Sequence, residues 1–235
     1  MMRELDAAIL EARMDDAVHV LVIRGAGEKF FCAGANIKML ASVTPRFKYY
    51  FCLHANETLN RLEQTPKLVI AALNGHCVGG GLEVAMAADM RIARKGGGRI
   101  GLPEVSLGVL PGTGGTQRLL RLVGKARALE MMATGRLLEF EEARDLGIVG
   151  EVMEAESAEA FLSRVLERAR EFVPPHRASR AVGLIKRAVQ TGAEAAFTEA
   201  LALERELQQQ LFESEDAREG LSAHLEKRQP KFKGR

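Results

Sequence analysis

Gly79-Gly80-Gly81 is followed two residues later by Glu83, and a second carboxylate, Glu104, stands in Gly101-Leu102-Pro103-Glu104-Val105. A strand that runs into a glycine triplet and then a helix aims unpaired backbone N–H groups and the positive end of a helix dipole at one point. Such a point binds a phosphate or steadies an oxygen that turns negative during a reaction. The triplet by itself also fits an ordinary turn. The triplet is not a GxGxxG fingerprint and no GxxxxGK[ST] is present, so dinucleotide and P-loop readings lack their residues here. Glu83 falls in the first turn of a helix expected over 82–88. It reads as surface compensation of the dipole, or, because Val84 to Ala88 are all apolar, as a buried carboxylate. A buried carboxylate needs a partner or a raised pKa, both typical of catalytic acids and bases. Glu104 is also set among apolar residues, with Pro103 restricting its approach. Two such groups divide proton donation and abstraction when their surroundings separate their pKa values. Spacing alone does not bring them together. Leu110-Pro111-Gly112-Thr113-Gly114-Gly115-Thr116-Gln117-Arg118-Leu119 reads as a turn entering a helix. Its N–H groups are free to hold a water or a ligand oxygen; the plainer reading is a helix start capped by Thr116.

The elements that must position these residues alternate between two periods. Leu5, Ala8, Ile9 and Ala12 repeat at helical spacing, and residues 17–23 form a β-branched apolar run closed by Gly25 and Gly27. Phe47 to Leu62 marks an amphipathic helix that Pro66 stops; 68–73 is a second buried strand and 89–93 a third. Strand, helix, strand in this order implies an α/β fold with parallel pairing. Twelve of the 23 glycines lie between Gly75 and Gly115, a crowding that calls for turns or close backbone approach. Beyond Gly124 the pattern turns helical, with Gly135 and Gly147 as expected left-handed ends and a last strand over 148–153. Phe161 to Phe172 is a clean helical stripe. Pro174-Pro175 divides a core of 1–173 from a helical region of 174–235 that ends in a basic tail. Met39, Leu40, Met131, Met132 and Phe140 read first as core and second as the lining of an apolar pocket.

Composition narrows the classes. The 235 residues carry a formal charge of +2 and are 47% hydrophobic and 27% charged, a balance that supports a folded core rather than disorder. No apolar run reaches the ~20 residues that span a bilayer. The small basic excess, two Tyr and no Trp give little support to nucleic-acid binding. Cys32, Cys52 and Cys77 form neither a CxxC pair nor an even framework, so buried reduced thiols and a cytoplasmic setting are expected. The five histidines show no metal-ligand spacing. A serine hydrolase lacks GxSxG, and Ser106 has no histidine near it in sequence.

Phe31-Cys32-Ala33-Gly34-Ala35-Asn36-Ile37-Lys38, Ala71-Ala72-Leu73-Asn74-Gly75-His76-Cys77-Val78-Gly79-Gly80-Gly81-Leu82-Glu83, Leu102-Pro103-Glu104 and Pro111-Gly112-Thr113-Gly114-Gly115-Thr116-Gln117-Arg118-Leu119 resemble, in order, the motifs of the crotonase (enoyl-CoA hydratase/isomerase) superfamily. Phe212 to Gly220 and Glu226-Lys227-Arg228 resemble its C-terminal region. The resemblance covers essentially the whole chain. It implies a spiral core of ββα units with C-terminal helices used for trimerisation, as a trimer or a hexamer of two trimers. The implied ligand is an acyl-CoA thioester and the implied activity enoyl-CoA hydration in fatty-acid β-oxidation, with no metal or redox cofactor. By position, the Ala35 and Gly80 N–H groups would form an oxyanion hole. Glu83 would activate water, Glu104 would protonate the α-carbon and the Gly112 N–H would help hold the water. Ala33, Ile37 and Lys38 would line the adenine end of CoA, and Lys227 would approach the CoA phosphate of a neighbouring subunit. The resemblance also implies opening strands ahead of the first helix, within which Met1 falls. Asn36 replaces the commoner Asp, and His224 stands where relatives often have Phe. The alternatives are an enoyl-CoA isomerase, a hydratase of branched unsaturated acyl-CoA, and a non-catalytic scaffold that binds acyl-CoA or RNA.

Overall fold

The computed structural model describes residues 1–235. The core is built by a repeated step in which one strand joins each of two sheets before the chain turns helical. Helix α1 (Met2–Met14) leads to β1 (Val20–Arg24) and β2 (Phe30–Cys32), then to α2 (Ile37–Ser42) and α3 (Pro45–Glu63). The second step is β3 (Leu68–Leu73), β4 (His76–Val78) and α4 (Gly80–Met86). The third is β5 (Met90–Arg94) and β6 (Arg99–Gly101), followed by a 3-10 turn over Glu104–Leu107, α5 (Gly115–Val123) and α6 (Lys125–Thr134). Strand β7 (Leu138–Glu139), α7 (Phe140–Asp145) and β8 (Glu151–Met153) finish the sheets, and α8 (Ala158–Arg170) covers them.

One sheet has the order β1-β3-β5-β8, all parallel; the other is β2-β4-β6-β7, parallel except that β7 runs against β6. The parallel pairing expected from strand, helix, strand therefore holds for every neighbouring pair except β6 and β7. The antiparallel β7 returns through α5 and α6 instead. Strand β3 is a continuous apolar run because both of its faces are covered. Val69, Ala71 and Leu73 pack with Leu59, Leu62 and α4, while Ile70 and Ala72 pack with Ile92, Phe161 and Val165 of the α8 side. Met131 and Phe140 are buried here, as core packing requires, whereas Met39 and Leu40 line an open cleft.

Past Pro174-Pro175 come α9 (Ser179–Gly192), α10 (Phe197–Phe212) and α11 (Glu215–Leu225). Helix α9 docks directly on the core. The buried Lys186 pairs with Asp89 at 2.8 Å and donates to the Lys67 carbonyl at 3.1 Å. Gly183 lies so close to the Pro66 carbonyl that no Cβ would fit. Helices α10 and α11 expose Phe197, Phe212, Leu221 and Leu225. The chain end returns across them, where the buried Asp216 accepts from the Lys233 and Gly234 N–H groups at 2.7 Å each. All three cysteines are free; Cys77 is buried, but Cys32 and Cys52 are partly exposed, because each borders a loop or helix face that the core leaves uncovered. No helix is long and apolar enough to cross a membrane.

Candidate active site

In the second sheet β2, β4 and β6 are parallel neighbours, so their C-terminal ends lie side by side. Each end passes into one of the singled-out segments: β2 into Ala33 to Asn36, β4 into the glycine triplet, β6 into Pro103-Glu104. Parallel order thereby gathers residues some 70 positions apart, at the sheet edge where α/β proteins usually bind ligands.

Two glycines make the gathering possible. Gly79 adopts φ +57°, and a Cβ on it would stand 2.9 Å from Glu104 Oε1. Gly34 adopts φ +82°, with its own Cβ position 2.9 Å from the Gly80 nitrogen. Both conformations disfavour side chains, and both spaces are taken. Measured from the position a Cβ would occupy on Gly80, the Ala35 nitrogen and Glu83 Oε2 each lie 3.8 Å away. Two candidate amides and both carboxylates thus surround a single turn. Neither the Ala35 nor the Gly80 N–H donates to any acceptor in the protein, and the Gly112 N–H is also unpaired.

Glu83 is 3% exposed, on the inner side of α4. Its Oε1 accepts from the Thr113 N–H at 2.8 Å and the Gly115 N–H at 2.7 Å, and its Oε2 accepts from the Thr113 hydroxyl. Dipole compensation at the surface is therefore ruled out. The same contacts correct the reading of Thr116 as a cap. Helix α5 starts after Gly114, at φ +106°, with no side-chain cap of its own. The carboxylate of α4 reaches across and takes N–H groups at that end, a stronger acceptor than a hydroxyl. Thr113 is the residue that sequence reasoning missed. Its position just ahead of a helix was visible, but its partner lies 30 residues back.

The turn that holds Glu83 is itself braced. Arg118, one turn into α5, donates to Glu63 Oε2 and Asn60 Oδ1 of α3, at 2.8 Å each. Its guanidinium fills the space beside Gly114. Glu104 differs in kind from Glu83. It is half-buried, and its Oε2 is shielded from solvent with no hydrogen-bond partner. Burial raises its pKa above the ordinary carboxylate value, and the nearby charge of Glu83 adds to the rise.

These groups open onto a cleft of about 610 Å³. Its walls include Ala33, Ala35, Ile37, Gly80, Glu83, Glu104 and Gly112 among the residues singled out from sequence, together with Met39, Leu40, Phe51, Leu107 and Val109. Lys38 and Lys227 are not among its walls. Lys38 follows Ile37 on α2 and faces solvent, and Lys227 is exposed in a left-handed turn just past α11. Asn36 caps α2 by accepting from the Met39 N–H at 3.2 Å.

The whole chain, residues 1–235, matches the family model for enoyl-CoA hydratase/isomerase. The short-chain-enoyl-CoA hydratase of Clostridium acetobutylicum is 38% identical over 97% of this chain and 85% of its own length. Among solved structures, an enoyl-CoA hydratase of Geobacillus kaustophilus HTA426 superposes with a TM-score of 0.94 at 48% identity, covering 100% of this chain and 87% of that one. One from Bacillus anthracis superposes at 0.91 and 35% identity, covering 100% and 88%. The fold and the ordered motifs around the glycine turn have the same origin: the chain belongs to the enoyl-CoA hydratase/isomerase family, of the crotonase superfamily.

Proposed function

We propose that this chain is a hydro-lyase that adds water reversibly across the C2=C3 bond of a 2-enoyl-CoA thioester. The thioester oxygen accepts from the Ala35 and Gly80 N–H groups, which have no protein acceptor of their own. Glu83 takes a proton from water as its oxygen bonds to C3, with the Gly112 N–H helping to hold that water. The C2=C3 electron pair moves toward the carbonyl, and the enolate oxygen rests on the two amides; one such donor is worth about 3 kcal/mol of barrier. Glu104 then gives its proton to C2. The cycle leaves Glu83 protonated and Glu104 ionised, and exchange with solvent restores both. Glu104's raised pKa suits the donor's role. The steps as written draw on no metal or redox cofactor.

The observation that carries this reading is the convergence of Glu83 and Glu104 on one glycine turn beside two unpaired amides. An isomerase needs a carboxylate such as Glu104 alone. The three donors that fix Glu83 in the cleft favour hydration. The test is the loss of conjugated-enoyl absorbance from crotonyl-CoA. Glu83→Gln should lower hydration by about 10²–10⁴-fold while keeping any isomerisation of 3-enoyl-CoA. Full hydration in that variant would defeat the role given to Glu83.

Ala33 and Ile37 border the cleft on the side assigned to CoA, and Lys38 and Lys227 supply exposed positive charge for its phosphates. A homotrimer or a hexamer is supported by the apolar side chains left open on α10 and α11. Three free thiols support a reducing, cytoplasmic setting, and the relative named a short-chain-enoyl-CoA hydratase supports a short-chain 2-enoyl-CoA as substrate.

A further inference from the structure

Among the residues that wall the cleft, the ionisable side chains are Glu83, Glu104 and one cation, Lys48. Lys48 lies on α3 between exposed neighbours, Phe47 and Tyr49, yet is itself half-buried and turned into the cleft. Its ammonium sits 5.0 Å from the centre of the Phe51 ring, another wall residue. No carboxylate lies within 4 Å of it, and it donates no hydrogen bond within the protein. Most other cations near this region are engaged: Arg118 with Glu63, Arg61 with Asp6, and the Met1 amine with Glu4. A half-buried cation among apolar walls is a ready partner for an anion that enters the cleft and displaces water from it. Glu104, the carboxyl within reach of its charge, must be protonated to serve as the donor to C2. With Glu104 protonated, an anion carried by the ligand would be a new partner for the Lys48 ammonium in its part of the cleft.

We propose that Lys48 selects 2-enoyl-CoA substrates whose acyl chain ends in a carboxylate. The inference rests on the hydratase reading for its reaction and on the cleft alone for its specificity. Lys48 stands over Phe51 and within reach of Glu104, whereas the segment assigned to CoA is Ala33 to Lys38, a different stretch of the wall. A negative group beyond C3 would replace the missing partner, and the Phe51 ring would keep water from screening the pair.

The experiment compares two five-carbon substrates, glutaconyl-CoA with a terminal carboxylate and 2-pentenoyl-CoA without one, on the wild-type chain and on Lys48→Met and Lys48→Arg. Lys48→Met should lose roughly tenfold or more in kcat/KM on glutaconyl-CoA relative to its change on 2-pentenoyl-CoA, and Lys48→Arg should retain most of the preference. Equal losses on both substrates would mean that Lys48 serves a CoA phosphate or the fold, and would overturn the proposal. So would no loss on either. Binding of the unreactive glutaryl-CoA and pentanoyl-CoA, followed by calorimetry, reads the same contrast without turnover. A chain that discriminates these two ligands through Lys48 but hydrates nothing would refute the hydratase reading and leave the specificity intact.

Discussion

Glu83 and Glu104 share a turn and a cleft but differ in what surrounds each carboxylate. Glu83 is held by two backbone N–H groups and a hydroxyl, all of which favour an acceptor. Glu104 has an oxygen shielded from both solvent and partners, and burial raises its pKa. These different surroundings suit the two side chains to the different proton-transfer roles proposed for them. In the proposed mechanism Glu104 reacts protonated, so kcat/KM for hydration should fall as pH rises through its raised pKa. The same shift has a stability consequence. A carboxyl raised in the folded state contributes stability below its unfolded pKa, near 4.3, and loses it as pH rises through the folded value. Glu104→Gln should therefore be nearly inactive yet melt higher than the parent at pH 8, the gap closing toward pH 4. A lower Tm for the variant at pH 8 would contradict the buried-charge account. Both glutamates were legible as candidates from their apolar neighbours alone. Thr113 was not, because its value comes from a carboxylate 30 residues away.

At the scale of elements, the site depends on where strands end and on what holds the turns beyond them. Helix α5 has no capping side chain of its own and depends on Glu83 from α4, while Arg118 ties its first turn to α3. These contacts join two walls of the cleft. Arg118→Met should keep KM within a few-fold and lower kcat by about tenfold or more, because it loosens the turn that holds Glu83, the group proposed to activate water, rather than a binding surface. A matched rise in KM with unchanged kcat would show that Arg118 shapes the binding surface instead. The helices and strands themselves were largely visible from period: 68–73 was read as a strand and is one, and the helix ending at Gly135 has the left-handed cap expected there. Misplacements fall at the boundaries. Helix α4 begins at Gly80 rather than Leu82, since the positive φ of Gly79 lets the turn close early.

Over the whole molecule, the C-terminal helices are joined to the sheet core by the Lys186–Asp89 pair and the contact of Gly183 with Pro66. Burial pushes the Asp89 carboxyl up and the Lys186 ammonium down, and each partner opposes the shift of the other. Removing one member leaves an uncompensated charge. Lys186→Met should cost about 3–5 kcal/mol in urea unfolding, and a double Lys186→Met, Asp89→Leu variant should recover much of that loss. Equal losses in the single and double variants would mean that packing of α9, not charge, makes the joint.

Composition, hydrophobic period and glycine placement are local properties, and they were enough to determine an α/β core, its main strands and helices, and two acidic candidates. The ordered motifs were enough to place the chain in its family. Convergence is a different kind of property. It took parallel ordering of β2, β4 and β6 to put Ala35, Gly80 and Glu104 at one edge, and the folding of α5 against α4 to give Glu83 its donors. It took the same tertiary packing to turn Lys48, one of 33 Lys and Arg residues in the chain, into the one cationic side chain that walls the cleft. Contacts between residues far apart in sequence leave no periodic trace in it, so only the folded chain could decide them.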